Sequence, residues 1–246
     1  MLENKTLQRY EFKYFLPNEI SKEIQNHVSR FMKIDKFASK NKKENYFVRS
    51  IYFEDAFNTN FEEKINGYRV RKKFRLRLYD EDINKSSIFL ETKGRNLERT
   101  YKRRVELNLN DIKIIKENKN LNNLLTKYPN SDSIKEFIFE TIKKDLKPKI
   151  LIDYYRKPFI NNNGLYFRLT FDQNLSCIKL DKSLDKVRMN QSISCKTGYT
   201  ILEVKFDRSI PLWFHRIIQS YNLRRESISK FVLGMCYSKQ GEETSD

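Results

Sequence analysis

Residues 68–79 read Tyr68-Arg69-Val70-Arg71-Lys72-Lys73-Phe74-Arg75-Leu76-Arg77-Leu78-Tyr79. Arg69, Arg71, Lys73, Arg75 and Arg77 occupy alternate positions, and Val70, Phe74, Leu76 and Leu78 occupy the others, with Lys72 the one exception. Side chains of a strand alternate between faces, so this stretch predicts one strand with an apolar and a cationic face. Like charges in a row repel one another. Either water solvates them or a polyanion neutralises them, and the rest of the chain bears on which.

The pattern recurs on both sides of that strand. Upstream, Arg9, Glu11 and Lys13 alternate with Tyr10, Phe12 and Tyr14, and Tyr46 to Phe53 is rich in β-formers. Downstream, Ile88 to Lys93 sets Glu91 and Lys93 on one face, Gly94 to Glu98 reads as a turn, and Tyr101 to Leu109 returns. These short connections predict an antiparallel meander. Lys149 to Arg156, Leu165 to Asp172 and Tyr199 to Phe206 are further strands, with a turn at Asn161 to Gly164 and an irregular stretch at Ser176 to Ser194. Helical spacing appears after Pro17, briefly within Asp55 to Ile65, through Asp111 to Asp145, and in a C-terminal pair after Pro211 and Ser227. Lys33 to Asn45 reads as a lysine-rich loop, and the stretch from Gln240 as a frayed tail. No linker or repeat interrupts the chain, so residues 1–246 are expected to form one α+β domain.

Composition narrows the partners. Lys and Arg total 49 against 32 Asp and Glu, a net charge of +17, which points to an anionic partner. With only His27 and His215, chemistry built on several histidines is excluded. Cys177, Cys195 and Cys236 show no metal-binding spacing and read as buried free thiols in a reducing compartment. The first residues lack the apolar core of a signal peptide, and no apolar run is long enough to span a bilayer, so a cytoplasmic location is expected. That expectation leaves a membrane partner open.

At least six strands carry a charged face opposite an apolar one. An ordinary sheet wet on its outer side would show the same alternation. A closed antiparallel barrel, charged inside and flanked by helices, also accounts for the abundance of Arg, which suits phosphate, and for outward faces apolar enough to need cover. Its interior would hold Lys13, Arg75, Arg77, Lys93, Lys102, Arg104, Arg156, Arg168 and Lys205, with Glu11, Glu91, Glu106, Asp172 and Glu203 among them.

The ordered series Arg9-x-Glu11-x-Lys13-Tyr14, Ser50-Ile51-Tyr52-Phe53, Arg75-x-Arg77-x-Tyr79, Glu91-x-Lys93, Tyr154-x-Arg156, Arg168-x-Thr170-x-Asp172, Leu202-Glu203-Val204-Lys205 and Ser229-Lys230-Phe231 resembles the VTC domain. That is the polyphosphate polymerase domain of the triphosphate tunnel metalloenzymes, a group that includes the CYTH phosphatases. The resemblance implies a strand-lined tunnel that binds ATP and Mn2+ or Mg2+ and extends inorganic polyphosphate, with pyrophosphate as a primer. It implies a catalytic set of Arg75, Arg77, Lys93, Arg156, Arg168 and Lys230, and substrate-binding positions at Lys13, Lys102, Arg104, Tyr154, Lys205 and Ser229. Glu203 is the implied metal carboxylate, with Glu11 beside it. Ser227 departs from the family, which often has a Lys there.

Two other readings stay open. Glu11, Glu91 and Glu106 would serve a tunnel hydrolase acting on tripolyphosphate or nucleoside triphosphates, although Arg9 stands where many CYTH members have a Glu. A non-catalytic binder of polyphosphate or nucleic acid also fits the net charge. Specific RNA recognition calls for exposed stacking aromatics, whereas Tyr10, Tyr14, Phe74 and Phe171 read as core and Trp213 as a helix-to-barrel contact. No specific nucleic-acid partner is therefore expected.

Overall fold

A computed structural model describes residues 10–82, 84, 86–97, 99–161, 166–180 and 192–243. Arg9, Glu98, the expected turn at 162–164, Leu165, the stretch 181–191 and the last three residues of the expected tail lie outside the described residues. The strands are β1 (Tyr10–Pro17), β2 (Lys33–Ile34), β3 (Tyr46–Glu54), β4 (Val70–Leu78), β5 (Ile88–Asn96), β6 (Arg99–Leu107), β7 (Lys147–Ile160), β8 (Phe167–Lys179), β9 (Ile193–Ser194) and β10 (Tyr199–Phe206). The helices are α1 (Asn18–Val28), α2 (Thr59–Ile65), α3 (Leu109–Glu117), α4 (Asn122–Lys127), α5 (Asp132–Lys144), α6 (Leu212–Ser220) and α7 (Lys230–Glu243). The α+β class, the antiparallel meander and the C-terminal helices follow the expectation.

The chain forms two compact units. One comprises residues up to Tyr46 together with Tyr154–Leu175 and Lys196–Ile228. Its strand order is β1-β10-β8-β7, with β2 on β7. Alternation places Tyr14, Leu16, Leu169, Phe171, Leu202 and Val204 on one face, where they form a core with Ile24 and Val28 of α1 and Phe214 of α6. Trp213 stacks on Phe31 with centroids 4.5 Å apart and meets Phe167 of β8 edge-on, so the expected contact between its helix and the strands is present, made to an open sheet. The opposite face carries Lys13, Glu203 and Thr170 in register across three strands, with Glu11, Lys205 and Arg168 forming the next row.

The second unit comprises Phe47–Asp153, Ser176–Cys195 and Ser229–Asp246. Its strands run β7-β3-β4-β5-β6, and β9 pairs with β8. Ile51, Phe53, Phe74, Leu76 and Leu90 face a helical layer that supplies Ile112, Ile115, Phe137 and Ile138. Burying each such side chain contributes about 1.5–3 kcal/mol. Lys72, the exception to the alternation, lies on this helix-covered side because α5 meets it with carboxylates. Its ammonium is 2.9 Å from Glu136 and 3.4 Å from Glu140. The other face of β4 pairs Arg75 with Tyr52 and Arg77 with Ser50 on β3, and with Glu91 and Phe89 on β5.

Several expectations need correction. Among the described residues the strand order has two ends, β1 and β6, and these pairings do not close it into a barrel. β6 is exposed at Arg99, Lys102, Arg103 and Arg104, and a charged edge of this kind resists addition of another strand. Of the turn expected at Gly94 to Glu98, Gly94 to Asn96 instead end β5 while Leu97 does turn, and the lysine-rich loop contains β2 and a 3-10 turn at Ala38–Lys40. α7 continues to Glu243, beyond the residue where the tail was expected to begin. Tyr10, expected in the core, is instead 49% exposed, because it opens an edge strand, where it stacks on Phe206. Val70, at the open end of β4, and Ile142, on the outer face of α5, are exposed as well. Cys236 is exposed and unpaired, whereas Cys177 and Cys195 are buried free thiols as expected. No helix among the described residues is long and apolar enough to cross a membrane.

Candidate functional site

Each unit gathers basic side chains around a buried carboxylate. In the first unit that carboxylate is Glu203, held at 5% exposure in the middle of its sheet by its neighbours β1 and β8. Arg156 Nη2 donates to Glu203 Oε2 at 3.1 Å, and Lys13 and Lys205 each bring an ammonium within 3.7 Å. Arg156 also grips Asp172 through Nε and Nη2 at 2.6 and 2.7 Å. Burial would lower the pKa of this guanidinium, but Asp172, Tyr154 and Glu203 outweigh that and hold it firmly charged. The Arg156 guanidinium lies 5.4 Å from the centre of the Tyr154 ring.

Lys13 is fixed from two sides. Its Nζ donates to the Ile228 carbonyl at 3.0 Å and lies 3.2 Å from Glu11, while its own carbonyl accepts from the Glu226 amide at 2.9 Å. Arg168 takes a different partner, Asp35, at 3.3 Å. Of the positions expected here, Lys13, Arg156, Lys205 and Glu203 therefore form one cluster. Glu11 joins it through Lys13 and Tyr154 through Arg156, while Arg168 stands in the row beside it.

In the second unit the carboxylate is Glu91, 1% exposed. Arg75 reaches its Oε2 with Nε at 2.8 Å and Nη2 at 2.6 Å; Lys102 lies 2.7 Å from Oε1 and Arg77 4.0 Å from Oε2. Burial alone would raise the carboxyl pKa, but Arg75, Arg77 and Lys102 reverse this and hold it at about 2. Lys73, Lys93 and Lys102 form a row of register partners on β4, β5 and β6. Arg104 turns away to lie 3.3 Å from the centre of the Phe89 ring. Of the two β6 cations expected at the site, Lys102 is thus the one that reaches Glu91. Ser229 caps α7: its Oγ accepts from the Val232 amide at 3.5 Å and its carbonyl from the Leu233 amide at 2.9 Å. Lys230 follows, 8% exposed at the first position of the helix.

Sequence reasoning about the site passed over Tyr52. It lies on the cationic side of β3, 3% exposed, and its hydroxyl accepts from Arg75 Nη1 at 3.0 Å. Burial pushes the phenol pKa up, but Arg75, Lys73 and Arg77 more than reverse this and bring it to about 7. The available signal was the Ser50-x-Tyr52 spacing, which puts two hydroxyls on one face of a β-prone strand.

Carboxylate oxygens beside basic groups suit a hard divalent cation. Among the described residues no group of three His, Cys, Asp or Glu side chains could enclose a metal. Glu203 offers a buried oxygen donor, joined to Asp172 through Arg156 and to Glu11 through Lys13, and a lone protein carboxylate of this kind fits Mg2+ or Mn2+ arriving with phosphate ligands rather than a metal held by protein alone.

The family model described as VTC domain matches residues 8–239. The chain belongs to the VTC domain family. No curated protein matches it. Among solved structures, this VTC domain chain is similar to a candidate adenylyl cyclase, HpAC1 from Hippeastrum, described as having a dominant triphosphatase activity. The TM-score is 0.53 at 12% identity, covering 93% of this chain and 96% of that one. It is also similar to the PH1819 protein from Pyrococcus horikoshii OT3, with TM-score 0.46, 11% identity and coverage of 92% and 97%. A candidate adenylate cyclase from Bacillus halodurans gives TM-score 0.47, 11% identity and coverage of 89% and 92%. The Hippeastrum likeness bears on the fold, and at 12% identity on the fold alone.

Proposed function

We propose that this VTC domain protein is a metal-dependent phosphoryl-transfer enzyme of the triphosphate tunnel kind that moves the γ-phosphate of ATP onto inorganic polyphosphate and releases ADP. One observation carries the choice of reaction. The buried carboxylates on the charged faces, Glu91, Asp172 and Glu203, are each engaged by an arginine. Carboxylates tied up in this way are poor general bases. A polyphosphate end is already anionic and needs none, so positioning and charge stabilisation suffice.

In this reading Arg75, Arg77, Arg156 and Arg168 clamp phosphate oxygens, with Lys13, Lys93, Lys102, Arg104, Lys205 and Lys230 offsetting the remaining charge. Tyr154 and Ser229 add contacts to phosphate. Glu203 holds Mg2+ or Mn2+ together with Glu11. The chemistry such a cation would supply is neutralisation of phosphate charge. The VTC model matches residues 8–239 and so runs through both compact units, which supports treating residues 1–246 as one functional domain.

The second reading is hydrolysis of tripolyphosphate or a nucleoside triphosphate, with water as acceptor. It is favoured by Glu11, whose side chain is 31% exposed and so has the solvent access needed to orient a water.

Purified protein incubated with ATP and Mn2+, with and without pyrophosphate, tests both. ADP with a ladder of polyphosphate chains is expected, and Glu203→Ala and Arg75→Ala are each expected to lower the rate about a hundredfold or more. ADP and free phosphate without chains would establish the hydrolase. No turnover would overturn both.

A further inference from the structure

The cationic side of β4 faces a feature that the phosphate reading leaves unused. β3 places Ser50 opposite Arg77 and Tyr52 opposite Arg75. The residues between and beyond them, Ile51 and Phe53, point into the helix-covered core, so the two hydroxyls share the arginine side. Ser50 is 1% exposed, and its Oγ has no hydrogen-bond partner. Tyr52 accepts from Arg75, and among the described residues nothing accepts its own proton. Its ring is held in place by Phe231 of α7, with centroids 5.0 Å apart.

Leaving a buried hydroxyl such as Ser50 without a partner is costly, and beside it the Tyr52 hydroxyl accepts but has a proton still to donate. Both hydroxyls can donate, and both lie opposite arginines in the register, whose guanidinium groups only donate. The partner missing from this corner is therefore an acceptor, and the charge around it selects an anion. The groups facing Tyr52 are Lys73, Arg75 and Arg77 from β4, Glu91 behind Arg75 on β5, and Phe231 from α7, preceded by Lys230.

We infer that Ser50 and Tyr52 are substrate-binding residues, donating hydrogen bonds to oxygens of the phosphate chain that Arg75 and Arg77 hold. This rests on the phosphate reading above. It adds a hydroxyl pair from β3 to a site otherwise made of cations. Hydroxyl donors have fixed reach and direction where a lysine has neither, so the pair sets where along the chain a phosphate comes to rest.

The depressed phenol pKa agrees with this arrangement and supplies a readout. A phosphate beside Tyr52 adds negative charge, which opposes ionisation and raises the pKa. Removing a donor to a charged acceptor is expected to weaken binding about tenfold to a hundredfold.

The experiment titrates wild type, Ser50→Ala, Tyr52→Phe and Arg75→Ala with tripolyphosphate and with ATP by calorimetry. Thermal melts show which variants stay folded. The phenolate band that wild type has and Tyr52→Phe lacks is then followed against pH with and without tripolyphosphate. The expected result is binding weakened about tenfold or more in each hydroxyl variant, with the phenol titration moving to higher pH when tripolyphosphate binds. Losses of equal size for both ligands put the pair at phosphates the two share, and a loss for one alone identifies the source; either supports the inference. Wild-type affinity in a folded Ser50→Ala together with an unmoved phenol titration would overturn it, while loss of binding in Arg75→Ala would leave the phosphate reading intact. Absence of binding to wild type would overturn both. Should Tyr52→Phe unfold, Ser50→Ala and the wild-type phenol titration still decide.

Discussion

Glu54 and Glu91 show how two buried carboxyls can titrate in opposite directions. Glu91 has cations on three sides and is held at about 2. Glu54, 1% exposed at the end of β3, accepts from the Asn60 amide at 3.1 Å on Oε2; burial, aided by neighbouring Asp55, outweighs the Asn60 hydrogen bonds and the charge of Lys144 and raises its pKa from 4.5 to about 8. A raised acid binds its proton more tightly in the folded state, so its contribution is complete below 4.5 and is lost as pH climbs toward 8. Glu54→Gln should leave the melting temperature at pH 5 nearly unchanged and raise it by several degrees at pH 8. A melting curve equally pH-dependent in the variant would remove Glu54 as the cause. Glu91 works in the other sense, stabilising above the ordinary carboxylate range and fading as pH falls toward 2. Neither behaviour was legible in the sequence. Both residues read as acids at a strand end or on a charged face, and only the register shows which cations reach them.

β5 and β6 show where pattern reading succeeds and where it stops. Strict alternation identified the strands, their antiparallel order and the faces on which Arg75, Arg77, Glu91 and Lys102 lie, because period-2 burial leaves a direct trace. It cut β5 short at Gly94, since a glycine in a polar run resembles a turn. The structure gives another reason for the glycine: it sits opposite Tyr101 in the register, and a Cβ there would collide with the Tyr101 ring. That ring is anchored by its hydroxyl to Glu136 of α5 at 2.8 Å. Gly94→Ala should displace the ring and cost about 1–3 kcal/mol in denaturant unfolding. In a Tyr101→Ala background the same change should cost far less, the non-additivity expected of groups in contact. Additive costs would show that the ring is not the obstacle. Side-chain direction was equally hidden: Arg104 and Lys102 share a face by parity, yet one lies on Phe89 and the other on Glu91.

The net charge of +17 makes the whole molecule responsive to anions and to salt. A ligand that binds only the folded form stabilises it by mass action. Tripolyphosphate is therefore expected to raise the melting temperature by several degrees, and the shift should shrink as sodium chloride is raised, since screening weakens exposed charge pairs more than buried ones. A shift indifferent to salt would mean that the charge is not what binds. The α+β class and family were legible because alternation and motif order survive in a single chain. The open strand order was not, because closure depends on which edges meet, and a charged edge strand has the same alternation as a charged inner one.

The row Lys73, Lys93 and Lys102 sets three lysines in register on neighbouring strands, and like charges across strands destabilise a sheet. A protein built this way carries its own incentive to be filled. If phosphate chains bind there as proposed, its lifetime would be coupled to supply: where chains are plentiful the strands would be held together and resist proteases, and where they are scarce the same row would hasten local opening and turnover. Abundance of the protein would follow abundance of the polyanion with no dedicated regulator.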